Sequence, residues 1–335
     1  MRISRRHLQV SLAVLWLLDG ALQCQPSMFG PNFARKILSP ARHGLPAIMA
    51  SPLHVVAALE SASPALANGG FALIQIALGV GLLTRRFTRV ALLASIAWAL
   101  SVWVVGEGLG GVTAGATVLS GAPGAALLYG VIAVLAWPTR DGRSDQPPSW
   151  LALPAWCGLW LTGAVLQLVA GNNSAMSLTM MLRGAQAGSP GWIAGIDHHL
   201  ALIRFPSWTA AALTAVNVLV AIWALVPGWT RNASVGLGVT VALVGWVLVQ
   251  GLGDLTSGQS TDVNSGPLIV LLAVAVVGAY PLDARSRSGH ALASNERARH
   301  PSPSGAAHPL NAHPVVLDRS RQDEVAGRRR TISVP

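Results

Sequence analysis

Eight apolar runs recur within the first 280 positions: Leu8 to Cys24, Phe71 to Leu83, Val90 to Gly106, Ala122 to Trp137, Leu151 to Ala170, Thr209 to Val226, Val235 to Val249 and Leu268 to Tyr280. None leaves a polar stripe wide enough for a water-facing helix, so they specify helices whose solvent is lipid. Charged residues make up 11% of the chain and hydrophobic ones 52%, whereas a soluble domain carries about 25% charged residues. Several runs fall short of the ~20 residues that cross a ~30 Å hydrocarbon core, so their helices should continue into the small residues that flank them.

The net charge of +10 would point to nucleic acid in a soluble protein. Here the arginines stand at the ends of apolar runs and in the C-terminal region, which makes the lipid bilayer the partner and excludes nucleic acid. Residues 1–7, 84–89, 139–149, Arg231 and the C-terminal region hold 18 of the 23 Lys and Arg; the alternate loops hold five, Arg35, Lys36, Arg42, Arg183 and Arg204. The positive-inside rule puts the first set in the cytoplasm. That arrangement implies eight spans with both termini cytoplasmic and residues 25–65, 107–121, 171–206 and 250–266 outside. The basic start followed by Leu8 to Cys24 looks like a secretory leader, but Asp19 interrupts it and no Ala-x-Ala site follows. It reads as a retained first helix.

The chain is duplicated. Trp103-Val-Val-Gly-Glu107-Gly-Leu-Gly-Gly111 returns as Trp246-Val-Leu-Val-Gln250-Gly-Leu-Gly-Asp254, and 103–138 aligns with 246–281 without a gap. Leu15-Trp16 and Leu22-Gln23 return as Leu159-Trp160 and Leu166-Gln167. Four spans per half make the halves parallel in topology. The expected fold is therefore all-α, a polytopic membrane helical bundle of eight spans as two parallel four-helix repeats. Its parts are a first repeat at 1–138, a cytoplasmic linker at 139–149, a second repeat at 150–283 and a disordered basic tail at 284–335, which has no apolar periodicity. Proline-broken residues 25–65 fit short helices on the membrane surface.

Ionisable groups at membrane depth are costly and need a reason. Asp19 lies roughly 18 Å along an outward-running helix at 1.5 Å per residue, and Glu107 ends another such helix, so the two should meet in the outer half of the bilayer. Gln23, one turn above Asp19, completes the expected polar cluster. In the second half Gly163 replaces Asp19, Gln250 replaces Glu107, and Asp254 stands where Gly111 does. Any protonatable or ion-binding role therefore falls to the first half, with Gln250 and Asp254 as the second half's polar counterparts. The alternative is that Asp19 and Glu107 serve only backbone groups freed by the glycine-rich turn.

No catalytic, cofactor-binding or metal-ligating residues emerge. His198 and His199 are adjacent, about 100° apart on a helix, and His54 stands alone in the earlier connection. The two cysteines, Cys24 and Cys157, read as small apolar residues near opposite faces. The glycine-rich turn follows a helix and not a strand, unlike a phosphate cradle.

Phe71-Ala-Leu-Ile-Gln-Ile-Ala-Leu-Gly79-Val-Gly81-Leu-Leu-Thr84-Arg85, the following Ala91-Leu-Leu-Ala94 and Trp16-Leu-Leu-Asp19-Gly20-Ala-Leu-Gln23 together resemble the spans of DoxX-like bacterial membrane proteins. The resemblance covers about residues 8–138 clearly and 151–281 faintly. It implies four-helix units in the cytoplasmic membrane and includes subunits similar to that of a thiosulfate:quinone oxidoreductase. Three function classes follow. One is small-solute or ion handling at the outer polar cluster; another is a quinone-linked subunit or anchor with a membrane or soluble redox partner; the third is a structural partner without chemistry.

Overall fold

The computed structural model describes residues 3–30, 54–56, 58, 61–139, 145–169 and 171–280. The expected tail at 284–335, most of the surface helices expected within 25–65 and the centre of the linker lie outside the described residues. Among the described residues there is no strand. Ten α-helices organise them: α1 (Arg5–Gln23), α2 (Pro64–Leu83), α3 (Thr88–Val105), α4 (Ala125–Leu135), α5 (Ser149–Leu168), α6 (Ala175–Ala185), α7 (Gly191–Leu202), α8 (Thr209–Leu225), α9 (Trp229–Leu248) and α10 (Ser265–Ala279). Four of them, α2, α3, α5 and α9, are long and apolar enough to cross a membrane, and α4, α8 and α10 are shorter apolar helices. This marks the chain as an all-helical membrane protein.

The bundle is apolar on its outside. Val10, Val14 and Leu18 form an exposed stripe along α1, as do Leu66, Leu73 and Val80 along α2. These positions recur every one or two turns, so each stripe is one helix face. Glutamines and asparagines lie inside instead: Gln9, Gln23, Asn68, Gln75, Gln167 and Asn217 are buried. Lipid accounts for that inversion, since a polar group facing hydrocarbon has no partner.

Helices pack in two closed rings of four. α1 packs on α2, α2 on α3, α3 on α4 and α4 on α1; α5 packs on α8, α8 on α9, α9 on α10 and α10 on α5. The rings meet chiefly through α4 and α10. Small residues set the tightest crossing, between α1 and α2. A Cβ on Gly20 would lie 2.6 Å from Cγ1 of Ile76, and one on Gly79 would lie 2.9 Å from the Ala13 carbonyl oxygen. Without a hydrophobic drive between helices in lipid, such close backbone approach is what holds a pair together.

Arginines finish several helices. Arg6 donates to the carbonyls of Leu82 and Leu83 at 2.8 and 2.6 Å, and Arg231 donates to that of Ala224 at 2.8 Å. Both satisfy orphan carbonyls at a helix C-terminus, where the dipole favours a cation. Arg5 ties the start of α1 to the carbonyls of Trp137 and Gln146.

Several helices run further than the apolar runs alone. α2 begins at Pro64, seven positions before Phe71, and α9 begins at Trp229 instead of Val235. In both cases the added residues are mostly small or polar positions at the helix start, with the exposed Leu66 and Trp229 as exceptions. α4 is shorter than its run, because 118–124 form successive turns before Ala125. The ungapped register of the two halves also breaks here. Trp103 Nε1 donates to the Pro123 carbonyl 20 residues on, whereas Trp246 Nε1 donates to the Val263 carbonyl 17 residues on. The first half's loop is therefore three residues longer between the same two anchor points.

Candidate acidic cavity

Trp16, Asp19 and Gln23 fall at i, i+3 and i+7 of α1 and so share its inner face. Trp16 is fixed by donation from Nε1 to Ser95 Oγ at 2.8 Å and by the Tyr129 ring, 4.3 Å away between centroids. That anchor orients the next turn, and Asp19 is carried into a cavity of about 200 Å³. Asp19 is 1% exposed, and its carboxylate oxygens complete no hydrogen bond of full geometry, the Tyr129 hydroxyl and the Val263 amide being the donors that approach them.

Glu107 enters the same cavity from the end of α3. Gly108, Leu109, Gly110 and Gly111 follow it with φ of 55°, 61°, 65° and 67°, a left-handed run that glycine adopts without strain. It folds the chain back so that Glu107 Oε1 accepts the Ala126 amide at 2.9 Å. The carboxylate thereby satisfies an orphan donor at the start of α4. Its Oε2 is buried and has no partner.

The third carboxylate comes from the second half. Asp262, in the loop before α10, lines the cavity with Thr261. Its oxygens accept the Asn264 amide at 2.6 Å and the Thr261 hydroxyl at 3.0 Å. Burial pushes its carboxyl up from the ordinary value, against the opposing effect of those two bonds.

Gln75, Trp98, Phe71, Val102 and Tyr129 complete the walls, and the exposed Ser101 carries the lining to the surface. Among the described residues no arginine, lysine or histidine lines the cavity. Gln23 Oε1 and Gln75 Oε1 are buried acceptors without partners and Trp98 Nε1 is a buried donor without one, while the buried Tyr129 hydroxyl approaches Asp19.

Of the residues singled out in the sequence, Asp19, Gln23 and Glu107 line this one cavity; Gln250 and Asp254 do not. Gln250 instead donates to the Leu119 carbonyl at 2.9 Å and accepts the Ser265 hydroxyl at 3.2 Å. It reaches the first turn of α10 much as Glu107 reaches that of α4. Asp254 is exposed, with φ of 56°, and lies against Gly188. Its place in the alignment opposite Gly111 puts it in the turn and not at the helix end.

Sequence reasoning passed over Gln75, Tyr129 and Asp262. Gln75 is the one polar side chain inside the run from Phe71 to Leu83, and Tyr129 is one of only two tyrosines; both were visible signals. Asp262 lies in a polar loop of the other half, and nothing local marks it.

His198 and His199 are exposed on α7 beside the buried Asp197, with ring centroids 5.8 Å apart. Among the described residues no three His, Cys, Asp or Glu are grouped to hold a metal ion. Cys24 and Cys157 are both free. The chain has no significant match among protein-family models, curated proteins or solved structures.

Proposed function

We propose that the chain is a DoxX-like protein of the bacterial cytoplasmic membrane, with eight spans in two parallel four-helix repeats and both termini cytoplasmic. In this reading α1, α2, α3, α4, α5, α8, α9 and α10 are the spans, and the first repeat handles a small solute or ion from the outer side. The two helix rings of like order and the matched Trp103 and Trp246 bonds support the duplication. The short α4 and α10 are compatible with spanning because their preceding loops are held by protein, which is where irregular backbone at membrane depth is tolerated.

The function rests on one observation: three carboxylates face a cavity with no basic side chain among the described residues, and the oxygens of Asp19 complete no hydrogen bond there. A purely structural carboxylate at that depth would be expected to have its oxygens satisfied. Proteoliposomes with an entrapped pH-sensitive dye test this. Under an imposed cation or proton gradient the protein should dissipate the gradient faster than protein-free vesicles, and Asp19→Asn should remove the difference. Equal traces for protein, variant and empty vesicles would reject ion handling.

A second reading, a quinone-linked subunit, draws on two buried donors. Trp98 Nε1 and the Tyr129 hydroxyl would serve ring carbonyls between the apolar walls. Quinone extracted with the protein purified from its membrane would favour that reading.

A further inference from the structure

We propose that the acidic cavity takes a small organic cation, a primary ammonium group on an apolar body about the size of one aromatic ring. The inference rests on the reading of this cavity as a solute site and names the class of solute.

The sign of charge comes first. Among the described residues, the ionisable groups around the space are Asp19, Glu107, Tyr129 and Asp262, with no cation lining it. Whatever fraction of these carboxylates is ionised, an anion meets repulsion from every side, and only a cation or a proton relieves it.

The hydrogen-bonding inventory then selects the kind of cation. Five buried acceptor atoms complete no hydrogen bond, both Asp19 oxygens, Glu107 Oε2, Gln23 Oε1 and Gln75 Oε1, although the Tyr129 hydroxyl and Val263 amide approach Asp19 and the Ala125 amide approaches Glu107. Each is costly to leave unmade. A primary ammonium brings three donors and no acceptor. A quaternary ammonium brings none and would leave the acceptors as they are.

Shape and wall chemistry set the body. Trp16, Phe71, Trp98, Val102 and Val105 supply an apolar, partly aromatic wall, and aromatic faces themselves attract a cation. The volume of about 200 Å³ compares with the ~150 Å³ that accepts benzene in an apolar protein cavity. A ring with a two-carbon arm fits that space and lets the charged head reach Asp19.

Titration calorimetry on the full chain in detergent, with 2-phenylethylammonium as the probe, is the test. Its neutral isostere 2-phenylethanol and tetramethylammonium are the comparisons. The probe should bind, Asp19→Asn should weaken it about tenfold or more, and the two comparison compounds should bind more weakly by a similar factor. Asp262→Asn, in a loop outside the helices, should also weaken the probe and serves if Asp19→Asn folds poorly. Equal binding of the probe and 2-phenylethanol, unchanged by either variant, would overturn the ammonium class while leaving an apolar solute site. No binding of the probe, alongside Asp19-dependent gradient loss in proteoliposomes, would overturn it in favour of a proton. Failure of both experiments would overturn the solute site as well.

Discussion

Cγ2 of Val118, in the loop between α3 and α4, lies 2.6 Å from where a Cβ on Gly163 would stand. Gly163 is the second half's counterpart of Asp19, so the place a carboxylate would occupy there is filled by a valine from the other half. The Asn217 amide oxygen crowds the same point. Gly163→Ala should therefore cost about 1–3 kcal/mol through overpacking, read as a lowered melting temperature in detergent. A neutral result would mean that this loop is not seated there.

Asp19 is the converse case. Its oxygens are buried and complete no hydrogen bond, and removing a buried charge so placed relieves a desolvation cost. In the absence of ligand, Asp19→Asn should be neutral or stabilising by up to about 1–3 kcal/mol. Clear destabilisation on thermal unfolding would show that the carboxylate holds the fold together.

The two indole bonds should be worth the same. Trp103 Nε1 donates to Pro123 at 2.7 Å and Trp246 Nε1 to Val263 at 2.8 Å, each tying a helix end to the loop after it. Trp103→Phe and Trp246→Phe should each cost about 1 kcal/mol for the hydrogen bond, plus a similar packing loss. Losses differing severalfold would mean that the two halves do not use these anchors alike.

The raised carboxyl of Asp262 predicts a direction with pH. A group that holds its proton more tightly when folded contributes stability below the ordinary aspartate value, and that contribution is lost as pH rises through its folded value. Ligand-free protein should accordingly lose melting temperature as pH rises across that window, and Asp262→Asn should flatten the loss. A slope of opposite sign, or one unchanged in Asp262→Asn, would contradict this.

Much of the fold was legible because lipid leaves few choices: apolar runs had to be helices, and glycine after Glu107 and Gln250 had to mark turns. Helix starts at Pro64 and Trp229 were hidden by small residues that fit a helix or a loop equally well. The meeting of Asp19 with Glu107 in one cavity followed from the placement of each toward the same end of its helix. The contribution of Asp262 did not, because it depends on how the loop before α10 crosses to the other ring. The three-residue difference between the Trp103 and Trp246 loops was masked by glycine and threonine matches that hold register on both sides of it.

The account stands on two parallel repeats, and matched exposed positions test that most directly. Thr113 and Thr256 follow the glycine-rich turns of the two halves, and both are exposed. In a background with Cys24→Ala and Cys157→Ala, single Thr113→Cys and Thr256→Cys variants in intact cells should both react with a membrane-impermeant maleimide. Arg86→Cys should react only after permeabilisation. Labelling of 113 and 256 from opposite sides would mean that the halves are inverted, and labelling of Arg86→Cys from outside would reverse the orientation of the whole chain.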